Sequence, residues 1–228
     1  MPTPHSVRPV LGGLSVDLNT AVYTFSLNYF KITDTRSLHN DTDFVSVAVV
    51  VGSNPPVSLP TKSMGDLNNG TYQVDLSIPN IAVGPTQIAA FSYGIVNTGH
   101  AKDSVEQELQ KFVAAAASKG AAAGASAIGT AVGGPLGSLV GLAGSAAFSW
   151  AVGEIEAILF ANCDGPVAAG DHVYTGAQLA AQTAGGKVIT SLDPQKGSNS
   201  NRGCGANSMY YVDWSITAHA RAPVATAG

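Results

Sequence analysis

GAAAGASAIGTAVGGPLGSLVGLAGSAAFSWAVG, residues Gly120 to Gly153, holds no charged side chain in 34 consecutive positions. Small residues recur every four positions: Gly137, Gly141, Ser145, Ser149 and Gly153 within it, and on the first arm Ala117, just before it, with Ala121, Ala125, Gly129 and Gly133. Residues four apart share a helix face, so each arm would carry a ridge with almost no side-chain height. Such small-xxx-small ridges let helix backbones approach closely, as they do inside membranes. Each glycine costs a helix in water about 1 kcal/mol relative to alanine, so packing or an apolar environment has to offset it.

Working outward, Asp103-Ser104-Val105-Glu106 carries the acid-x-x-Glu look of a helix start, followed by Val105, Leu109, Phe112, Val113 and Ala116 at helical spacing. Gly133-Gly134-Pro135 breaks the run, with Pro suited to the first position of a second helix. Phe148, Val152, Ile155 and Leu159 form its stripe, and Asn162 with Asp164-Gly165-Pro166 ends it. The expectation is a Gly/Ala-rich α-helical hairpin over residues 103–162.

On either side the period is two. Tyr23, Phe25, Leu27 and Tyr29 alternate with Thr24, Ser26 and Asn28; Tyr72, Val74, Leu76 and Ile78 alternate with Gln73, Asp75 and Ser77; Tyr210, Val212, Trp214 and Ile216 alternate with Tyr211, Asp213 and Ser215. These are half-buried strands, and Trp214 is expected to anchor the core. Phe44 to Val51 hardly alternates and reads as a central strand buried on both faces. Further strands are expected at 86–96 and 187–192, with turn clusters at Gly52-Ser53-Asn54-Pro55-Pro56, Leu67-Asn68-Asn69-Gly70 and Val83-Gly84-Pro85. The fold class is therefore α+β: an antiparallel, jelly-roll-like β-sandwich from 7–100 and 165–220, one domain over 1–228, with the helical hairpin inserted.

Composition narrows the function. Only 11% of residues are charged and the net charge is −4, with eleven Lys and Arg against fifteen acids and no cluster of either sign. A nucleic-acid partner is excluded for want of a basic footprint. GxSxG, HExxH, P-loop and dinucleotide fingerprints are missing, and the Glu106/Glu108 and Glu154/Glu156 pairs fall on the wet outer ends of the arms, so no enzyme is expected. Met1 to His5 has neither a basic n-region nor an apolar h-region.

Cys163 and Cys204 sit in turn-rich contexts without zinc spacing. A disulfide between them would close a loop of about 41 residues and contribute roughly 4 kcal/mol; two inert buried thiols are the alternative. The bridge would place the chain outside the reducing cytosol, as an extracellular or secreted protein without a visible signal peptide. Between two strands, Asp34, Asn40, Asp41 and Asp43 offer oxygen ligands for Ca²⁺, the one candidate cofactor, although their spacing is not that of an EF-hand. The alternative is an Asx-rich loop in which these side chains bond their own backbone and Arg36 pairs with an acid, with His39 facing solvent.

The stretch Asp34-Thr35-Arg36-Ser37-x-His39-x-Asp41-Thr42-Asp43, the turn Asn162-Cys163-Asp164-Gly165-Pro166-Val167 and Cys204-Gly205-x-Asn207-Ser208 together resemble a set of uncharacterised microbial β-sandwich proteins. The resemblance covers most of the chain and implies one folding unit, with no activity attached. The layout also resembles pore-forming toxins in general outline. The leading expectation is a membrane-active or pore-forming homo-oligomer that uses the smooth hairpin. Length weighs against a permanent span, because Lys119 lies roughly 21 Å of helix from the Gly133-Gly134-Pro135 apex against about 30 Å of hydrocarbon. The alternative for the tract is a soluble hairpin, tightly packed on itself or buried under the sheet, in which Gly is merely the residue that fits. The alternatives for function are a calcium-dependent carbohydrate- or protein-binding module acting through residues 33–43, and a structural subunit that self-assembles through its ridges.

Overall fold

A computed structural model of the chain describes residues 20–35, 42–98, 102–130, 165–196 and 208–219. In chain order the elements are β1 (Ala21–Asp34), β2 (Thr42–Val51), β3 (Val57–Ser58), β4 (Lys62–Asp66), β5 (Gly70–Val83), β6 (Ile88–Thr98), α1 (Lys102–Thr130), β7 (Gly165–Thr175), α2 (Gly176–Gln182), β8 (Val188–Lys196) and β9 (Met209–His219). Sheet A is ordered β5-β1-β9-β8; sheet B is ordered β3-β2-β6-β7, with β4 sharing the β2 edge beside β3. All pairings are antiparallel.

Between the sheets, Tyr23, Phe25, Leu27, Phe30 and Ile32 of β1 and Tyr210, Val212, Trp214 and Ile216 of β9 meet Val45, Val47 and Val49 of β2 and Phe91, Tyr93 and Ile95 of β6. The alternation read for β1 needs one correction. A register shift between Leu27 and Tyr29 against both neighbouring strands turns Phe30, not Tyr29, into the core. A bulge adds one residue and so flips every following side chain. The edge strand β5 meets these shifts with Asp75 and Asn80 at φ 52° and 61°, the left-handed region that Asp and Asn tolerate best among residues with a Cβ. Bulges of this kind blunt an edge that would otherwise template another strand.

The outer face of sheet A explains how a chain with so few charges stays wet. Register places Ser77, Ser26, Ser215 and Thr190 in one row across its four strands, and the Ser26 and Ser77 hydroxyls are 2.8 Å apart. Asn28 Nδ2 donates to Asp213 Oδ1 at 2.7 Å in the neighbouring row.

The helical hairpin expected over 103–162 is not shown: among the described residues that stretch gives one helix, α1, and no second arm packed on it. The described chain consists mostly of two antiparallel sheets with two helices, the short α2 and a single long helix, α1, lying on the outer face of sheet B. The second arm, from Pro135 to Asn162, lies outside the described residues. The stripe that periodicity identified does exist on α1, but its partner is a sheet. Val105, Leu109, Phe112, Val113, Ala116, Ala117 and Ala121 bury themselves against Phe44, Ala48 and Val50 of β2, Ile88, Ala90 and Val96 of β6, and Ala169 and Val173 of β7. This is why β2 and β6 are apolar on both faces: one faces sheet A, the other faces α1. Gly94 makes room for the helix, since a Cβ there would lie 3.0 Å from Leu109 Cδ1 and 3.2 Å from Val113 Cγ1. Thr61 Oγ1 donates to the Glu106 carbonyl at 2.7 Å and Gln110 Nε2 to Ser58 Oγ at 3.1 Å, tying the first turns of α1 to the β3–β4 edge.

The small residues of α1 thus serve helix-on-sheet contact. A Cβ on Gly124 would come within 2.8 Å of Val173 Cγ1 and 3.1 Å of Ile88 Cγ2. Leucine outranks glycine by about 0.8 kcal/mol in a free helix, so Gly124→Leu would stabilise an undocked α1. On the docked helix we expect the opposite sign, a net loss of roughly 1–3 kcal/mol from overpacking. Urea unfolding of Gly124→Leu, with the exposed Ala123→Leu as reference, reads that sign directly.

Candidate functional site

β7 reads GPVAAGDHVYT, and its alternation sends two adjacent polar residues to opposite faces of sheet B. Asp171 points outward, in the row Ala48, Ser92, Asp171 that lies beneath α1. Ser92 Oγ donates to its Oδ1 at 2.7 Å, whereas Oδ2 is buried without a hydrogen-bond partner. Gly120 of α1 sits directly over that oxygen, and a Cβ at position 120 would overlap it. Asp171 is only 9% exposed. Burial pushes its carboxyl up to about 6, against smaller opposing pulls from the Ser92 hydroxyl and the His172 imidazole.

His172 points inward, to the side of the sandwich where β7 and β8, each an edge strand, come together. Its ring lies 3.9 Å, centroid to centroid, from the Trp214 indole and 5.9 Å from Tyr93. Its Nε2 is 3.0 Å from Asp193 Oδ2, an ion pair when the imidazole is protonated. Asp193 collects the donors around it. Trp214 Nε1 donates to Oδ2 at 2.9 Å, Tyr93 OH to the same oxygen at 3.0 Å, and Ser191 Oγ to Oδ1 at 2.8 Å. Burial alone would raise this carboxyl, but His172, Ser191 and Trp214 together outweigh it and hold it below the usual aspartate range. Burial, followed by the Asp193 charge, moves the Tyr93 hydroxyl well up and that of Tyr174 to about 12. One carboxylate of sheet A therefore gathers Tyr93 and His172 of sheet B and Trp214 of its own sheet.

The residues singled out from sequence are distributed differently. Ala121 is buried on sheet B and Ala125 is exposed; Gly129 belongs to α1, in its last turn. Gly133, Gly137, Gly141, Ser145, Ser149 and Gly153 lie outside the described residues, as do Cys163 and Cys204. Of the calcium candidates, Asn40 and Asp41 also lie outside them. Asp34 ends β1 in sheet A, while Asp43 lies in sheet B, fully buried, accepting from Asn97 Nδ2 at 2.7 Å and from Tyr210 OH at 3.0 Å. No group of three or more His, Cys, Asp or Glu placed to hold a metal occurs among the described residues. Trp214 is a core anchor at 3% exposure, and its indole N–H serves the Asp193 cluster.

The sequence reading passed over β7, and with it Asp171 and His172. Its glycines and alanines mute the strand pattern, but a charged Asp-His pair between Val167-Ala168-Ala169 and Val173-Tyr174 is the signal that marks it. No protein-family model matches this chain, and no curated protein matches it either.

The two carboxylates impose opposite pH limbs on stability. Asp171, raised in the folded state, stabilises fully below its unfolded value of 3.8, and that contribution is lost as pH climbs through about 6. The loss is roughly 3 kcal/mol at most. Asp193, lowered in the folded state, stabilises above 3.8, and its contribution is lost as pH falls below that value. Taken together they place the maximum near 3.8, between the two limbs. Thermal unfolding across pH should show Tm falling on either side, with the acid limb missing in Asp193→Asn and the neutral limb kept.

Proposed function

We propose that this protein is non-enzymatic and membrane-active, with the part of α1 from Gly120 onward as the element that leaves sheet B and enters lipid together with the charge-free sequence it begins. The observation that carries this reading is the change of grip along α1. Its first half is held by Val105, Leu109, Phe112 and Val113 and by the hydrogen bonds of Glu106 and Gln110. Large side chains of this kind contribute about 1.5–3 kcal/mol each on burial. Among the described side chains from Ala116 to Ser126, the apolar residues buried on the sheet are Ala116, Ala117 and Ala121, each nearer the 0.8 kcal/mol or so of a single buried carbon. Gly120 meanwhile rests on an unpartnered carboxylate oxygen.

The weakly held half opens the tract that bears no charge up to Gly153. None of the described helices is long and apolar enough to cross a membrane; the reading is therefore of a homo-oligomer whose copies shield one another. Released from β7, Gly120, Ala121, Gly124 and Ala125 offer copies of α1 the small faces that pack helices in lipid.

Dye release from vesicles of phosphatidylcholine and phosphatidylglycerol tests this. Ala122 and Ala125 are exposed on the docked helix, so Ala122→Glu with Ala125→Glu should alter stability in water by no more than about 0.5 kcal/mol per site. In hydrocarbon each carboxylate costs roughly 2.5–3.5 kcal/mol, or about a hundredfold in the inserted population. We expect leakage from the unmodified chain and its loss in the double variant. Equal leakage from both, or none from the unmodified chain, contradicts the reading; large particles formed without lipid support a self-assembling structural subunit instead.

A further inference from the structure

Asp171 occupies an unusual place. It lies at the centre of an apolar helix-on-sheet contact, nine-tenths buried, with one oxygen satisfied by Ser92 and the other pressed against the helix backbone at Gly120. The middle of a helix has no free N–H groups to offer an anion, because each is already bonded to the carbonyl one turn back. Among the described residues, the surrounding elements do little for a charge there. β2 faces it with Ala48, β6 with Ser92, and α1 with Gly120, next to the exposed Lys119. From its own strand only His172 bears on it, and that ring lies on the other face of sheet B beside Asp193. A neutral carboxyl loses little by being covered, whereas an ionised one forfeits hydration that nothing under α1 replaces.

We propose that Asp171 is a proton-operated latch for α1: with its carboxyl protonated the Gly120-to-Ser126 half of the helix lies down on β7, and with it ionised that half lifts away while the Val105-to-Val113 half stays docked. The latch adds a trigger to the membrane reading and rests on it for its purpose. The same docked state is favoured by acid, and the same released state by neutral solution. Glycine at 120 is part of the device, because any side chain at that position would hold the helix off the carboxyl whatever its charge.

Hydrogen exchange on the full chain without lipid, expressed as protection factors so that intrinsic exchange rates cancel, measures the latch. For amides from Gly120 to Ser126 we expect protection about ten- to a hundredfold higher near pH 4.5 than near pH 7.5, with a much smaller change from Val105 to Val113. Asp171→Asn should keep high protection at both pH values. Ser92→Ala, which takes away the one donor to Oδ1, should move the transition to higher pH; it serves as a second readout should the asparagine variant fail to fold. Equal protection of the unmodified chain at the two pH values overturns the latch, and so does a pH difference that persists in Asp171→Asn. Because no lipid is present, failure here leaves vesicle leakage free to occur, and absence of leakage alongside pH-dependent protection removes the membrane reading while keeping the latch.

Discussion

The contact between α1 and the outer face of sheet B sets the terms for the rest of the molecule. A strand can be apolar on both faces only if both are covered, and β2 and β6 are buried from end to end. Sheet A covers their inner face, and α1 takes the outer one with Val105, Leu109, Phe112 and Val113. Without that helix, Phe44, Val50, Ile88 and Val96 would form an apolar patch of the kind soluble proteins seldom leave exposed. The glycines that looked costly in an isolated helix are the means of close approach, with Gly124 over Val173 and Gly120 over Asp171.

β7 joins this contact to the interior. Because successive side chains of a strand face opposite ways, Asp171 and His172 place one titratable group under the helix and another between the sheets. The two sides also differ in how they treat charge. Asp193 faces the His172 imidazole and accepts from Ser191 and Trp214, so its anion is stabilised. Asp171 has a single hydroxyl and a helix backbone, so its anion is not. Burial raises both; the His172 charge and the donors aimed at Asp193 outweigh it there, whereas the Ser92 hydroxyl and a smaller pull from His172 do not at Asp171.

Much of the antiparallel strand content was legible along the chain, although the helical hairpin expected with it was not borne out. Period-two alternation in β1, β5 and β9 and the unbroken apolar run of β2 come from local steric facts that hold wherever a strand has one or two covered faces. The helical stripe from Val105 to Ala116 was equally plain. The bulge that exchanges Tyr29 for Phe30 was not, because an inserted residue leaves the local alternation intact and shows only in the register with a neighbouring strand. β7 escaped because Gly and Ala carry little strand signal, and the partners that make Asp171 and Asp193 distinctive are 79 and 100 residues away, at Ser92 and Tyr93.

Sequence alone determined that the chain would be rich in antiparallel strands, that a helix would start near Val105, and that its later turns would be smooth and uncharged, since each of these is a property of neighbouring residues. It could not say what the helix lies against. Periodicity defines a buried face but not its partner, and a ridge of small residues fits a sheet as closely as it fits a second helix. Tertiary structure made that choice by bringing β2, β6 and β7 side by side into an apolar platform. It thereby set Gly120 over Asp171, a juxtaposition between residues 51 positions apart that no local rule specifies.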